Sequence, residues 1–179
     1  VGFLLKVQVA ETGTHSGFSS GVIPSSFRIL RELLDRIEDS CTGKLKIPSA
    51  YVEIPPEQLQ YAKDTAEIVK NNFFASFPIS EGVDTVSKDV FEAYLNKSWR
   101  PTVSYTGMAG IPAPDQAGNV LRPSTSIVLS IRLPPTADPS AVFDDISKQL
   151  TENVPYHAKV TISNVKKSSG FYAPALEPW

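Results

Sequence analysis

Ser126-Ile127-Val128-Leu129-Ser130-Ile131-Arg132-Leu133-Pro134-Pro135-Thr136-Ala137-Asp138-Pro139 is the stretch that decides the fold of this chain. Ile127, Leu129, Ile131 and Leu133 fall on one side of an extended backbone, opposite Val128, Ser130 and Arg132. Alternation with a period of two marks a strand with one buried face. Asp138-Pro139 then supplies an N-cap and a first-turn proline for a helix whose apolar stripe is Val142, Phe143, Ile146 and Leu150.

The same reading extends in both directions. Residues 157–163 form a strand, with Ala158, Val160 and Ile162 alternating against Lys159 and Thr161, and residues 101–106 form another. At the start, Phe3, Leu5, Val7 and Val9 alternate with Leu4, Lys6 and Gln8. Pro24-Ser25-Ser26 then opens a helix carrying Phe27, Leu30, Leu33, Leu34 and Ile37, and Gly43 closes that segment. The order is β-α-β-β-α-β, the split arrangement of ferredoxin-like folds. It predicts an α+β two-layer sandwich: a four-stranded antiparallel sheet with two helices on one face, and the other face and the edges left to a partner.

Residues 44–98 do not belong to that minimal unit. They read as a helical insertion, with a proline-marked entry at Pro48, Pro55 and Pro56, a helix near 57–72 and another near 87–97 starting at Ser87. Phe73, Phe74, Phe77, Phe91, Tyr94 and Trp99 make it too apolar for a linker. The segment 171–179, ending in the Pro-rich run from Ala173 to Trp179, reads as an exit linker. No internal repeat or low-complexity tract is present.

With 179 residues, the chain is expected to form a single domain with a large insertion. A chain of this size buries roughly 70% of its unfolded surface, enough for a core without metal or disulfide staples. Seventeen Lys and Arg against 19 Asp and Glu leave a net charge of -2, which argues against a nucleic-acid surface. Lys166-Lys167, the one short basic pair, reads as a solvated strand end. Cys41 is the only cysteine, so no internal disulfide forms, and its place after an amphipathic helix suggests a structural role. No apolar run approaches the ~20 residues that span a bilayer, so no membrane partner is expected. Starting at Val1 and reading straight into a strand, the chain is expected to be part of something longer. Compartment is not legible, and the cytoplasm is the default expectation.

Catalytic signatures are missing from the usual places. The sequence has no HExxH, no P-loop and no GxSxG, and His15 and His157 are too few for a self-contained histidine-rich zinc site. Glu38-Asp39 and Asp144-Asp145 read as solvated helix faces. Two segments stand out. Gly13-Thr14-His15-Ser16-Gly17 puts an imidazole between glycines that permit turn conformations, so His15 should stand out from the body of the domain as a donor. Ala117-Gly118-Asn119-Val120-Leu121-Arg122-Pro123 leads into the strand that carries Arg132. Asn119 offers amide donors and acceptors, and Arg132 a planar fork for a carboxylate. Taken singly, these read as an exposed loop histidine, a turn asparagine and a sheet-surface arginine.

Together they resemble a known family. The entry strand with GTHSG and SGVIPSSFRILRELL, then RPTVSYTG, AGNVLRPSTSIVLSIRLPPTADP and the final helix and strand, are similar to the dimerisation (lid) domain of zinc-dependent metallopeptidases. That family includes carnosinase-like dipeptidases, aminoacylases, acetylornithine deacetylase and glutamate carboxypeptidase, and the chain resembles its peptidase-like, carnosinase-related branch. The resemblance covers nearly all the chain outside 44–98. It implies a lid inserted in a separate catalytic domain that holds the zinc, with no zinc ligand or catalytic glutamate in this chain. It implies a homodimer in which His15 reaches the other subunit's active site and hydrogen-bonds the oxyanion formed when zinc-activated water attacks the scissile amide. Asn119 would contact the substrate, a peptide or acyl amino acid, and Arg132 would bind its carboxylate. The family's usual Asn-Pro after the HSG loop is replaced here by Pro24-Ser25-Ser26. The rival reading is a free-standing ferredoxin-like module that binds a small regulatory ligand or another protein. An RNA-binding version is disfavoured, since the middle strands offer Ser104, Ser130 and Arg132 where exposed aromatics are needed.

Overall fold

The computed structural model describes residues 1–172. In chain order the elements are β1 (Gly2–Gln8), β2 (Thr14–His15), α1 (Ser16–Ser19), α2 (Ser26–Ile37), α3 (Pro56–Val69), α4 (Val90–Ser98), β3 (Thr102–Ala109), β4 (Val120–Leu121), β5 (Ser124–Arg132), α5 (Pro139–Thr151) and β6 (Lys159–Lys166). The large sheet runs β3-β5-β1-β6, and every neighbouring pair is antiparallel. A separate two-stranded sheet pairs β2 with β4. The ferredoxin-like order expected from the sequence is therefore present.

The core follows from the alternation. Phe3, Leu5 and Val7 of β1 and Ile127, Leu129 and Ile131 of β5 turn the same way and are buried. Ile29, Leu30, Leu33 and Ile37 of α2 and Val142, Ile146 and Leu150 of α5 close over them in one cluster. Ser25 caps α2, its hydroxyl accepting the N–H of Arg28, and the Asp138 carboxylate accepts the N–H of Ser140 at the start of α5. Phe27, expected on the apolar stripe, is 40% exposed, since Ser26 rather than Phe27 takes the sheet-facing place on the first turn, where it bonds Thr125 of β5.

Several boundaries move for local reasons. Helix α2 stops at Ile37, and Gly43 with φ +68° serves a later turn that brings Leu45 back against Glu38. Cys41 lies exposed in that turn rather than in the structural position expected of it. Strand β3 runs on to Ala109 because a bulge between Tyr105 and Gly107 adds a residue and resets the alternation. Strand β6 begins at Lys159, since Tyr156 and His157 both take left-handed backbone angles in the preceding turn. Helix α4 starts at Val90, because Asp89, not Ser87, caps the N–H of Glu92.

Within 44–98, Leu45, Ile47 and Ala50 join the main core, while Ala62, Leu95 and Trp99 build a second small cluster with Phe91 and Tyr94 against it. Phe73 stacks edge-on against Phe74, and Phe77, beside Phe73, stays 42% exposed. Most of the exit-linker segment falls outside the described residues.

Tyr105 ties the edge strand to the end of α2, its hydroxyl donating to the Glu38 carboxylate at 2.5 Å. Burial, then the hydrogen bond and negative charge of Glu38, push the phenol's pKa upward. A raised value means the folded chain holds this proton more tightly than the unfolded one. The contribution is complete below the ordinary tyrosine pKa of about 10 and drains away as pH climbs above it. Urea midpoints at pH 8 and pH 11 should therefore fall further in the parent chain than in Tyr105→Phe. Equal falls would show that the contact contributes nothing.

Candidate functional site

His15 is exposed, on the second residue of β2, where it pairs with Val120 of β4. The next residue, Ser16, donates its N–H to the Asn119 carbonyl at 2.8 Å, which fixes the two sequence segments side by side. The imidazole then folds over the start of α1, where Nδ1 accepts the N–H of Gly17 at 3.1 Å. A neutral imidazole that accepts at Nδ1 carries its proton on Nε2. The backbone thus sets the tautomer and presents Nε2–H as a donor.

The two bracketing glycines work differently from the expectation. Neither has a positive φ. At Gly13 a Cβ would lie 2.9 Å from Val120 Cγ1, and at Gly17 it would lie 3.1 Å from His15 Cε1. Their value is close approach: one lets β2 meet β4, and the other leaves room for the imidazole. Nearby, the hydroxyl oxygens of Thr14 and Ser19 are buried with no protein hydrogen-bond partner among the described residues.

Asn119 is exposed, and its side-chain amide makes no hydrogen bond to any described residue, so donors and acceptor are free. Arg132 is elsewhere. It ends β5 opposite Thr102, whereas the His15 and Asn119 segments adjoin the Ser124 end. Eight residues of strand at ~3.3 Å each separate the two ends by roughly 26 Å. Arg132 faces instead a hollow of about 450 Å³ shared with Val1, Lys166, Ser168 and Gly170. The structure therefore joins His15 to Asn119 and sets Arg132 at the opposite pole, beside Val1 and the end of β6. Among the described residues no group of three or more His, Cys, Asp or Glu could hold a metal ion.

The reading from sequence missed Arg28 and Tyr156, which line a second hollow next to the His15 segment, and it quoted Arg122 without giving it a role. Arg122 was visible in the quoted motif as a charge between two short strands. Tyr156 was not, because its position depends on a left-handed φ of 55° that no residue pattern announced.

The pattern of the peptidase dimerisation domain matches residues 3–158. The chain belongs to that family. Among curated proteins, the domain is similar to the cysteinylglycine-S-conjugate dipeptidase of Corynebacterium striatum, 24% identical over 159 residues. That match takes in 88% of this chain and 33% of the dipeptidase, so the chain spans about a third of its relative. Among solved structures, human carnosine dipeptidase 1 superposes with a TM-score of 0.78 at 21% identity, covering 97% of this chain and 37% of that one. An M20 family metallo-carboxypeptidase from Sulfolobus solfataricus superposes at 0.65 with 16% identity, covering 93% and 44%. This dimerisation domain thus has the fold of domains found within larger peptidases.

Proposed function

We propose that this dimerisation domain acts as an active-site lid of a zinc-dependent dipeptidase- or aminoacylase-like hydrolase, and that His15 works in the active site of the neighbouring subunit. The observation that carries the reading is the Gly17 N–H to His15 Nδ1 hydrogen bond, which leaves Nε2–H pointing outward. Amide hydrolysis builds negative charge on the carbonyl oxygen, and a donor fixed in advance stabilises that charge without reorganising. The zinc belongs to a catalytic domain outside this chain. Within the chain, His15 donates to the oxyanion, Asn119 beside it contacts the substrate, and Arg132 binds the substrate carboxylate.

The distance between the two poles refines the assignment. About 26 Å of strand is more than a dipeptide spans, so one subunit's His15 and Arg132 serve different active sites. On this reading His15 serves the partner's site and Arg132, at the other pole of the domain, the subunit's own. A free-standing regulatory module draws no support from the family match.

Nitrogen-15 NMR of the imidazole tests the basis of this reading: the neutral ring should be the Nε2–H tautomer, and an Nδ1–H ring would remove the donor. The assembly is tested separately by sedimentation of the hydrolase that carries the domain, which should be dimeric under assay conditions. A monomer with full activity would exclude service in trans.

A further inference from the structure

Beside the His15 segment lies a hollow of about 470 Å³, a size typical of small-ligand sites. Arg28, Arg122, Tyr156 and several serine and threonine hydroxyls, Ser16 and Ser25 among them, provide its polar lining, and no lining residue is acidic. Arg28 comes from α2 and Arg122 from the turn between β4 and β5. Among the described residues neither has a carboxylate within ion-pairing distance, whereas Arg36 meets Glu32 and Arg100 meets Glu92. Two like charges facing one concavity repel each other, and a bound anion relieves that repulsion.

The wall that holds them is built rather than incidental. Ser26 and Thr125 are 2% and 1% exposed, and their hydroxyls hydrogen-bond each other at 2.8 Å. Ser26 Oγ also lies 3.4 Å from the Arg122 carbonyl, so the turn carrying Arg122 is pinned to the first turn of α2, where Arg28 sits. Across the hollow, Tyr156 stands 69% exposed on a left-handed backbone, a conformation that costs energy for a non-glycine residue. Ser16 and Val120, the sequence neighbour and the pairing partner of His15, are among the residues that line the hollow.

We infer that this hollow binds an oxyanion on the substrate, a carboxylate carried in addition to the one assigned to Arg132, so that the enzyme favours acidic dipeptides or acyl amino acids. The arginine forks match a carboxylate in geometry and charge. The substrate half of this inference rests on the proposed service of His15 in trans; the anion site itself does not.

Two arms test it. In the first, the 179-residue chain is titrated with glutarate and, separately, inorganic phosphate at low salt, following amide and arginine Nε signals by NMR. Saturable shifts centred on Ser16, Phe27, Arg28 and Arg122 are expected with glutarate, weakened at least tenfold by Arg28→Gln with Arg122→Gln. Arg28→Gln alone, at an exposed helix position, serves if the double variant does not fold. Shifts without saturation, or indifferent to the substitutions, would overturn the site, and saturation by phosphate only would overturn the carboxylate assignment.

In the second arm, the dimeric hydrolase is assayed on an acidic and a neutral dipeptide. The ratio of their kcat/KM values should fall at least tenfold in the arginine variant, and an unchanged ratio would overturn the substrate role. Glutarate binding that survives alongside a failed trans test of His15 would locate the failure in the lid reading instead.

Discussion

Replacing His15 with alanine is expected to lower kcat of the dimeric hydrolase that carries this domain by roughly 10²–10³, about 3–4 kcal/mol of transition-state stabilisation. Gly17 N–H holds Nδ1, so the only polar group the ring offers to anything else is Nε2–H. An oxyanion is strongest as an acceptor in the transition state, so its loss is felt in kcat more than in KM. Metal content should not change, since no metal-binding cluster is found among the described residues of this chain. His15→Gln, which keeps a donor, should recover part of the loss. Mixing His15→Ala subunits with subunits disabled in their own catalytic domain should restore activity, because one hybrid site then has an intact centre and an intact histidine. A near-normal kcat in His15→Ala, or subunit exchange with no rescue, would return His15 to the status of a surface residue.

Arg132→Ala should act on a different parameter. A lost charged hydrogen bond costs about 1.5–3 kcal/mol, so KM for substrates with a free carboxylate should rise roughly 10- to 150-fold. Some loss of kcat accompanies it if the contact tightens in the transition state. The sharper test joins the two variants. If Arg132 serves its own subunit's site and His15 the partner's, a mixed dimer of Arg132→Ala and His15→Ala has one site lacking both groups and one with both intact. Activity then reappears on mixing. Were both residues to serve the same site, each site in the mixed dimer would lack one of them, and no rescue would follow. The opposite placement of Arg132 and His15 on the sheet predicts rescue.

The fold was legible because its signals are local and periodic. Phe3, Leu5 and Val7 in β1, the alternation of β5, and Asp138-Pro139 ahead of α5 each declare an element within a few residues, and burial of their shared apolar faces leaves one economical arrangement. Edges were less legible where a single backbone angle or bulge decides them, as at Tyr105–Gly107 and Tyr156.

The candidate site divides along the same line. Sequence alone determined that His15 sits between glycines next to a strand, that Asn119 follows a glycine, that Arg132 faces away from the core, and, through the motifs around them, the family. Tertiary structure decided the rest. The pairing of β2 with β4 brings His15 and Asn119 together across a hundred residues of chain, and the length of β5 keeps Arg132 apart from both. It also decided that Gly13 and Gly17 give space rather than unusual φ, that His15 Nδ1 accepts the Gly17 N–H, and that Arg28 and Arg122 line one hollow. The physical reason is range: periodicity and capping act between residues a few positions apart, whereas a tautomer, a cavity wall and a separation of poles are set by contacts between segments that only the folded chain brings within a few ångströms.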